Sequence, residues 1–421
     1  MPMRLRNAAY VGRYAMKQPR PHTQSTQPAE PARRRLAAVP ARSESRGLRG
    51  RVRAHMLEWW PIWVAAVASR IGIIVVGLLS EYAARSRGVN DVVAFSRSGT
   101  FVHYQDVVLR GYTAANAYEF PLFPALLGIA HSLGMRLDVA SMLVANACFI
   151  VGIVGMAMLG RRYVGREAAI AGATLLVLWP TSHFFSIAST ESLMLAASVW
   201  AVIFALRASP ANWCAAGVCA AACALSRPPG ALIGVVLLAI AVSQLRSGQL
   251  RGPRAIGAAI AAGAAIPMAV LAFFWYLREV TGNFQAALDA QQQFGRSMTL
   301  DGPVRALSSA MDSIAAGSLG PAFEIAAIGL IIAMLTVFAA RANGARIERW
   351  GWVAFGVLSL LMPLSSGLVW QMPRFAMLML PVFWAMGIVA NRWKWVQSGL
   401  LILLPMALAF KVTFDVVGVT Q

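Results

Sequence analysis

The stretch VASMLVANACFIVGIVGMAMLG, residues 139–160, runs straight into RRYVGR, residues 161–166. Its 22 residues contain no Asp, Glu, Lys or Arg. Wound as a helix at about 1.5 Å per residue, such a run crosses the roughly 30 Å hydrocarbon layer of a bilayer. A strand of an outer-membrane barrel would alternate apolar and polar residues, and this run does not. Backbone amides in lipid must be paired within their own segment, so the run predicts a transmembrane helix. The arginines that follow predict that this end faces the cytoplasm.

The same pattern recurs outward from this span. Apolar runs at 60–80, 168–180, 190–207, 212–226, 230–245, 255–276, 321–341, 350–366, 375–390 and 396–415 bring the expectation to about eleven transmembrane helices. Segment 121–134 is apolar but short, opens with Pro121-Leu122-Phe123-Pro124, and reads as an interfacial helix. With the N-terminus inside, alternation places 161–166, Arg207, 246–254, 341–349 and 392–394 on the cytoplasmic side. Those loops hold 12 Lys+Arg in 28 residues, as the positive-inside rule requires. Counting 121–134 as a full crossing would put them all outside.

Composition agrees. The chain has 421 residues, 58% hydrophobic and 13% charged, with a mean hydropathy of +0.62; a soluble domain carries about 25% charged residues. The expected fold class is therefore an all-α polytopic membrane protein, multi-pass in the inner (plasma) membrane. The net charge of +20 is uneven: residues 1–58 hold 13 Lys+Arg against Glu30, Glu44 and Glu58. This segment reads as a disordered basic cytoplasmic tail beside anionic lipid, not as a nucleic-acid arm, and residues 59–421 as the membrane domain. Cys148, Cys214, Cys219 and Cys223 lie in apolar spans and read as small core residues. No metal-ligand spacing and no certain cofactor is found.

Ionisable groups are costly in hydrocarbon and gather where function needs them. Here they collect at the outer ends of the expected helices, with Arg70 as the one charge read within a span and expected to snorkel. Asp91, His103, Tyr104, Asp106 and Glu119 lie in the first long outer loop, 81–120. His183 and Glu191 bracket a turn, and Arg227 stands in Ser226-Arg227-Pro228-Pro229-Gly230. Arg296 lies in the second long loop, 277–320, and Gln371 and Arg374 open a late span. Carboxylates serve as general bases, and arginines grip phosphate through paired hydrogen bonds. Beside a membrane cavity, both suit a phosphorylated lipid. No Gly-rich phosphate loop or Ser/His/Asp signature is present.

Four segments resemble the bacterial relatives of GPI mannosyltransferase II, in the GT-C superfamily of glycosyltransferases that use polyprenyl-phosphate sugars. Gly111-Tyr112 with Tyr118-Glu119-Phe120-Pro121-Leu122-Phe123-Pro124 is similar to the family's GY…FPLYP stretch. The segment Pro180-Thr181-Ser182-His183-Phe184-Phe185-Ser186, then Ser189-Thr190-Glu191-Ser192-Leu193, resembles its P-S-x-F-F-S…Y-T-E-S-L pattern. Leu225-Ser226-Arg227-Pro228-Pro229-Gly230 resembles its L-T-R-P-T-G turn. Finally, Thr281-Gly282-Asn283, Ala290-Gln291 and Gly295-Arg296 resemble its TGD…AQ…WGR loop, and Met372-Pro373-Arg374-Phe375 its M-x-R-Y start. The likeness runs in order from about residue 60 to 390. One departure matters: the family's Trp-Asp pair, whose Asp is the base, aligns with Gly99 and Thr100. A sister GT-C family with D-x-x-x-Y and YEYPP resembles Asp91-Val92-Val93-Ala94-Phe95 and Tyr118-Glu119-Phe120-Pro121.

The resemblance implies inverting transfer of a sugar, mannose by the family, from polyprenyl phosphate to a lipid or glycan acceptor hydroxyl at the outer face. It implies Asp91 or Asp106 as base, and Arg296 and Arg374 on the lipid phosphate with help from Arg227. Glu191 would orient sugar hydroxyls or an Arg, and His103, Tyr104, Glu119, His183 and Gln371 would line the substrate site. Two alternatives stay open: a scaffold subunit that has lost its base, and a lipid or solute transporter.

Overall fold

The computed structural model describes residues 58–85, 100–296 and 298–418. Within them every regular element is helical. Chain order begins with α1 (Trp60–Arg85), the short α2 (Phe101–Arg110), α3 (Leu122–Ser132) and the long α4 (Leu137–Val164). The helices α5 (Arg166–Val177) and α6 (Glu191–Ala205) are joined by a linker that carries a 3-10 turn, Ser182–Phe185. Next, α7 (Pro210–Ser226) leads through a second 3-10 turn, Pro228–Leu232, into α8 (Ile233–Arg246), and α9 (Pro253–Thr281) follows. The second long loop contains α10 (Ala286–Gln292) and α11 (Gly302–Ala315). Then come α12 (Gly320–Arg341), α13 (Arg346–Leu364), the brief α14 (Met372–Ala376), α15 (Leu380–Arg392) and α16 (Lys394–Gly418).

Among the described residues, seven helical stretches are long and apolar enough to cross a membrane: Trp60–Ser80, Leu137–Val164, Pro228–Arg246, Pro253–Thr281, Gly320–Arg341, Arg346–Leu364 and Lys394–Val416. The other four expected spans, 168–180, 190–207, 212–226 and 375–390, correspond to α5, α6, α7 and α15, of 12, 15, 17 and 13 residues. At about 1.5 Å per residue, α5 rises only about 18 Å. The shortening has a local cause. Pro180 lacks the amide a helix needs at that point, and Thr181, Ser182, Ser186, Ser189 and Thr190 offer the backbone competing hydrogen bonds. The chain therefore leaves the helix within the bundle. Segment 121–134 is the short helix α3.

The core forms around α6, whose residues are all buried except the half-buried Trp200 and Phe204. A helix apolar on every side is one enclosed by protein. Small residues let its neighbours approach: a Cβ at Gly152 would meet Leu195 Cγ at 2.8 Å, and one at Gly155 would meet Val199 Cγ2 at 2.6 Å. Between α5 and α15 the contact is backbone to backbone, with Gly172 against Phe383 O and Gly387 against Ala168 O. Close packing of this kind replaces the hydrophobic drive that helices lack in lipid.

The two ends of the bundle differ chemically. At one end, the buried Glu348 of α13 accepts from Arg162 Nη2 at 3.0 Å, Tyr163 OH at 3.1 Å and Ser243 Oγ at 3.1 Å, tying α4, α8 and α13 together. This end carries the basic loops, with Trp60, Trp350, Trp393 and Trp395 exposed near it. Toward the opposite end, Tyr82, Trp275, Tyr276 and Trp370 are exposed. Two aromatic belts suit two membrane–water interfaces. Of the N-terminal tail 1–58, only Glu58 lies within the described residues.

Candidate functional site

The linker between α5 and α6 is pinned from two sides. Arg70, in the middle of α1, donates from Nη1 to Ser182 O at 3.0 Å and to Ser186 Oγ at 2.8 Å, and from Nη2 to Ser182 Oγ at 3.2 Å. Its guanidinium sits 4.8 Å from the Phe149 ring centroid. Sequence alone suggests that Arg70 snorkels, but it turns inward and takes up the Ser182 carbonyl together with the Ser182 and Ser186 hydroxyls. On the other side, Trp179 Nε1 and Thr181 Oγ1 both donate to Pro373 O, at 2.8 and 3.1 Å. That contact brings Arg374 beside the linker.

Glu191 opens α6, where the helix dipole favours a carboxylate, and it is fully buried. Its Oε1 accepts from Arg374 Nε at 2.6 Å and from Arg227 Nη1, and its Oε2 from Ser189 Oγ. Arg227 is held extended by the prolines after it, since a residue before proline avoids the helical region; its φ is −172°. Arg374 Nη1 also reaches Gln371 Oε1 at 3.1 Å, Nη2 reaches Ser189 Oγ at 3.1 Å, and the guanidinium lies 3.8 Å over the Phe184 ring. Gln371 adopts a left-handed φ of 58°. Its backbone N–H and that of Met372 donate to Glu324 of α12 at 3.1 and 2.6 Å.

Arg296 approaches from the second loop. It donates to Gln291 Oε1 at 3.1 Å and lies 5.6 and 5.5 Å from the ring centroids of Phe294 and Trp370. Burial, together with the charges of Arg227 and Arg374, holds it below the ordinary arginine range. Among the described residues it has no carboxylate partner.

Glu119 is the remaining buried acid of this region. Burial pushes its carboxyl up to about 7, even though a hydrogen bond from Tyr104 and the charges of Arg374 and Arg227 favour the ionised form. Tyr104 is itself buried against Phe123, with ring centroids 4.9 Å apart. Tyr118 packs edge-on against Phe294 at 5.0 Å and against the exposed His103 at 5.7 Å. The first loop thereby closes onto the second beside Arg296.

The structure thus brings together Glu119, Tyr104, Glu191, Arg227, Arg296, Gln371 and Arg374. Asp106 is engaged elsewhere: it accepts from Asn116 Nδ2 at 2.9 Å and pairs with Arg110 at 3.2 Å, holding the turn that starts at Gly111. His183 turns to α16, its Nε2 3.0 Å from Asp415 Oδ2 but without the alignment of a hydrogen bond. Asp91 lies outside the described residues. Thr100, the position aligned with the family's aspartate, donates its hydroxyl to Ala188 O at 2.5 Å, in the same linker. Sequence reading does not single out Ser189, Phe184 or Glu324. Glu324 carried a usable signal, an acid within an otherwise apolar helix. Among the described residues, no group of three His, Cys, Asp or Glu side chains is placed to hold a metal ion.

Among the described residues, the guanidiniums of Arg227, Arg296 and Arg374 face the carboxylates of Glu191 and Glu119, the second of which is raised toward neutrality. The balance is positive, in a partly dry setting, and it favours an anion.

No protein-family model and no curated protein sequence matches this chain. Among solved structures it is similar to the oligosaccharyltransferase of Archaeoglobus fulgidus. In complex with zinc and sulfate, that protein aligns at 12% identity and a TM-score of 0.40 over 81% of this chain and 53% of its own. Tethered to an acceptor peptide, it aligns at 12% and 0.42 over 84% and 55%. With an inhibitory peptide and a dolichol-phosphate, the enzyme, there named AglB, aligns at 12% and 0.40 over 83% and 55%. This chain therefore spans about half the length of the structures it matches, and similarity at this level assigns it no activity, donor or acceptor.

Proposed function

We propose that this chain is a membrane glycosyltransferase that moves a sugar, mannose by its motif resemblance, from a polyprenyl phosphate to an acceptor hydroxyl. The observation that carries the proposal is the convergence of Arg227, Arg296 and Arg374 at one end of the bundle, with Glu191 as the ionised counter-charge of Arg227 and Arg374. A lipid phosphate entering beside Arg296 would complete that balance. In the reaction the acceptor oxygen attacks the anomeric carbon as its proton passes to a carboxylate. The bond from that carbon to the phosphate oxygen breaks, and its electron pair leaves with the polyprenyl phosphate. One direct displacement inverts the anomeric centre. Fixed guanidiniums aimed at the developing phosphate charge are the kind of preorganised electrostatics that dominates many catalysed reactions.

For the base we favour Glu119, whose raised carboxyl is poised near neutral pH, where a general base works best. Asp91 remains the rival implied by the sister family. Transfer of radiolabelled sugar from polyprenyl phosphate in membranes containing the protein tests the activity, and product stereochemistry tests inversion. A second reading, a catalytically inactive scaffold, is favoured by Thr100 standing where the family has its aspartate. It predicts no transfer from any polyprenyl-phosphate sugar by the intact protein.

A further inference from the structure

At the basic end of the bundle, away from the arginine cluster, a groove of about 240 Å³ lies between α1, α5, α15 and α16. Its α5 wall presents Glu167, Ile170, Ala171 and Thr174, residues at i, i+3, i+4 and i+7 that share one helix face. Its α16 wall presents Lys394, Gln397 and Leu401 with the same spacing. Each wall is charged at the rim and apolar deeper in. Glu167 and Lys394 are both exposed, and no ion pair joins them. Lys394 Nζ instead reaches Asn391 Oδ1 at 3.2 Å and Gln397 Oε1 at 3.3 Å.

Deeper in the groove Thr174 is 9% exposed, and its Oγ1 has no hydrogen-bond partner. A helical threonine ordinarily returns its hydroxyl to a carbonyl one turn back, and a buried hydroxyl left unpaired is unfavourable. Two turns, about 10 Å along the axis, separate it from Glu167. The groove thus offers a carboxylate and an ammonium at the rim, then a hydroxyl donor, then apolar walls.

We propose that this groove binds an aminophospholipid with a primary-amine headgroup, of the phosphatidylethanolamine class, from the leaflet at that end. Glu167 accepts from the headgroup ammonium, Lys394 faces the phosphate, Thr174 donates to a glycerol ester carbonyl, and the acyl chain runs along Ile170, Leu175 and Leu401. The site is separate from the arginine cluster, so the proposal does not depend on the chain being a glycosyltransferase.

Native mass spectrometry of delipidated protein tests it, after exposure to equal amounts of phosphatidylethanolamine, phosphatidylcholine and phosphatidylglycerol. The wild type should retain the ethanolamine lipid about fivefold more than the other two, the scale of one partly exposed charge interaction. The choline lipid keeps the charge but cannot donate to Glu167; the glycerol lipid lacks the cation. Glu167→Gln should remove the preference for ethanolamine over glycerol headgroups, and Lys394→Gln should weaken retention of both. Thr174→Val should weaken all three alike. Equal retention of the three lipids by the wild type, which needs no variant to fold, would overturn the proposal. So would an unchanged preference in Glu167→Gln.

Discussion

Arg374 Nε donates to Glu191 Oε1 across 2.6 Å, although 183 residues separate the two in the chain. The same oxygen also accepts from Arg227, so one buried carboxylate joins the start of α6, the end of α7 and the start of α14. Removing its charge leaves two guanidiniums without compensation, and breaking a buried pair in this way costs about 3–5 kcal/mol. Glu191→Gln should therefore lower the thermal midpoint of the protein in nanodiscs as well as abolish activity. An unchanged midpoint would show that these ion pairs do not hold the start of α6 in place.

Arg296 should behave in the opposite way. Its contacts are one glutamine and two aromatic faces, so Arg296→Gln should leave stability within about 0.5 kcal/mol of wild type, as for substitutions outside the packed core. If it meets the departing phosphate, transfer should fall by about 10²–10³-fold, the effect of losing one preorganised donor. Stability loss without loss of transfer would remove it from the proposed site.

How much of this was legible beforehand varies with the physics involved. Long apolar runs are read directly from hydropathy, which is why α4, α9 and α12 fall where residues 139–160, 255–276 and 321–341 place them. Hydropathy does not fix where a helix starts and stops, so α5, α6, α7 and α15 are shorter than the runs 168–180, 190–207, 212–226 and 375–390 suggest. For the site, short motifs locate Glu191, Arg227 and Arg374 because each sits where a helix must start or stop. Partners supplied by distant elements left no such trace: nothing near Arg70 in the chain foretells its hydrogen bonds to Ser182 and Ser186. Whether a carboxylate is exposed or enclosed is likewise a tertiary property, and it separates Glu119 from the partly exposed Asp106.

The basic loops predict an orientation, and labelling tests it. With Cys148, Cys214, Cys219 and Cys223 replaced, single cysteines at the exposed positions Gln249 and Asn283 report on opposite ends of α9. The positive-inside rule predicts that a membrane-impermeant maleimide reaches position 283 in intact cells, and position 249 only after the membrane is opened. The reverse pattern would place the arginine cluster on the cytoplasmic side.

The last expectation concerns pH and identifies the base. Burial raises the Glu119 carboxyl to about 7, opposed by the Tyr104 hydrogen bond and by Arg374 and Arg227, and reinforced by Glu191. A base must be ionised, so kcat/KM should rise with pH up to about 7 and level off above it. Glu119→Gln should lower transfer by about 10²–10⁴-fold, the usual contribution of a positioned base, and should erase the rising limb. Stability carries the opposite sign. A carboxyl whose folded value lies above its unfolded value binds more protons when folded, so its favourable contribution is complete below about 4.5 and is lost as pH climbs through about 7. The wild type should therefore lose thermal stability between those values, whereas Glu119→Gln should hold steady and be the more stable of the two at pH 8. Asp106→Asn should keep the rising limb, because Asp106 faces Asn116 and Arg110. If Asp91→Asn erases the limb while Glu119→Gln retains it, the base is Asp91, and the raised Glu119 serves the packing of Tyr104 instead.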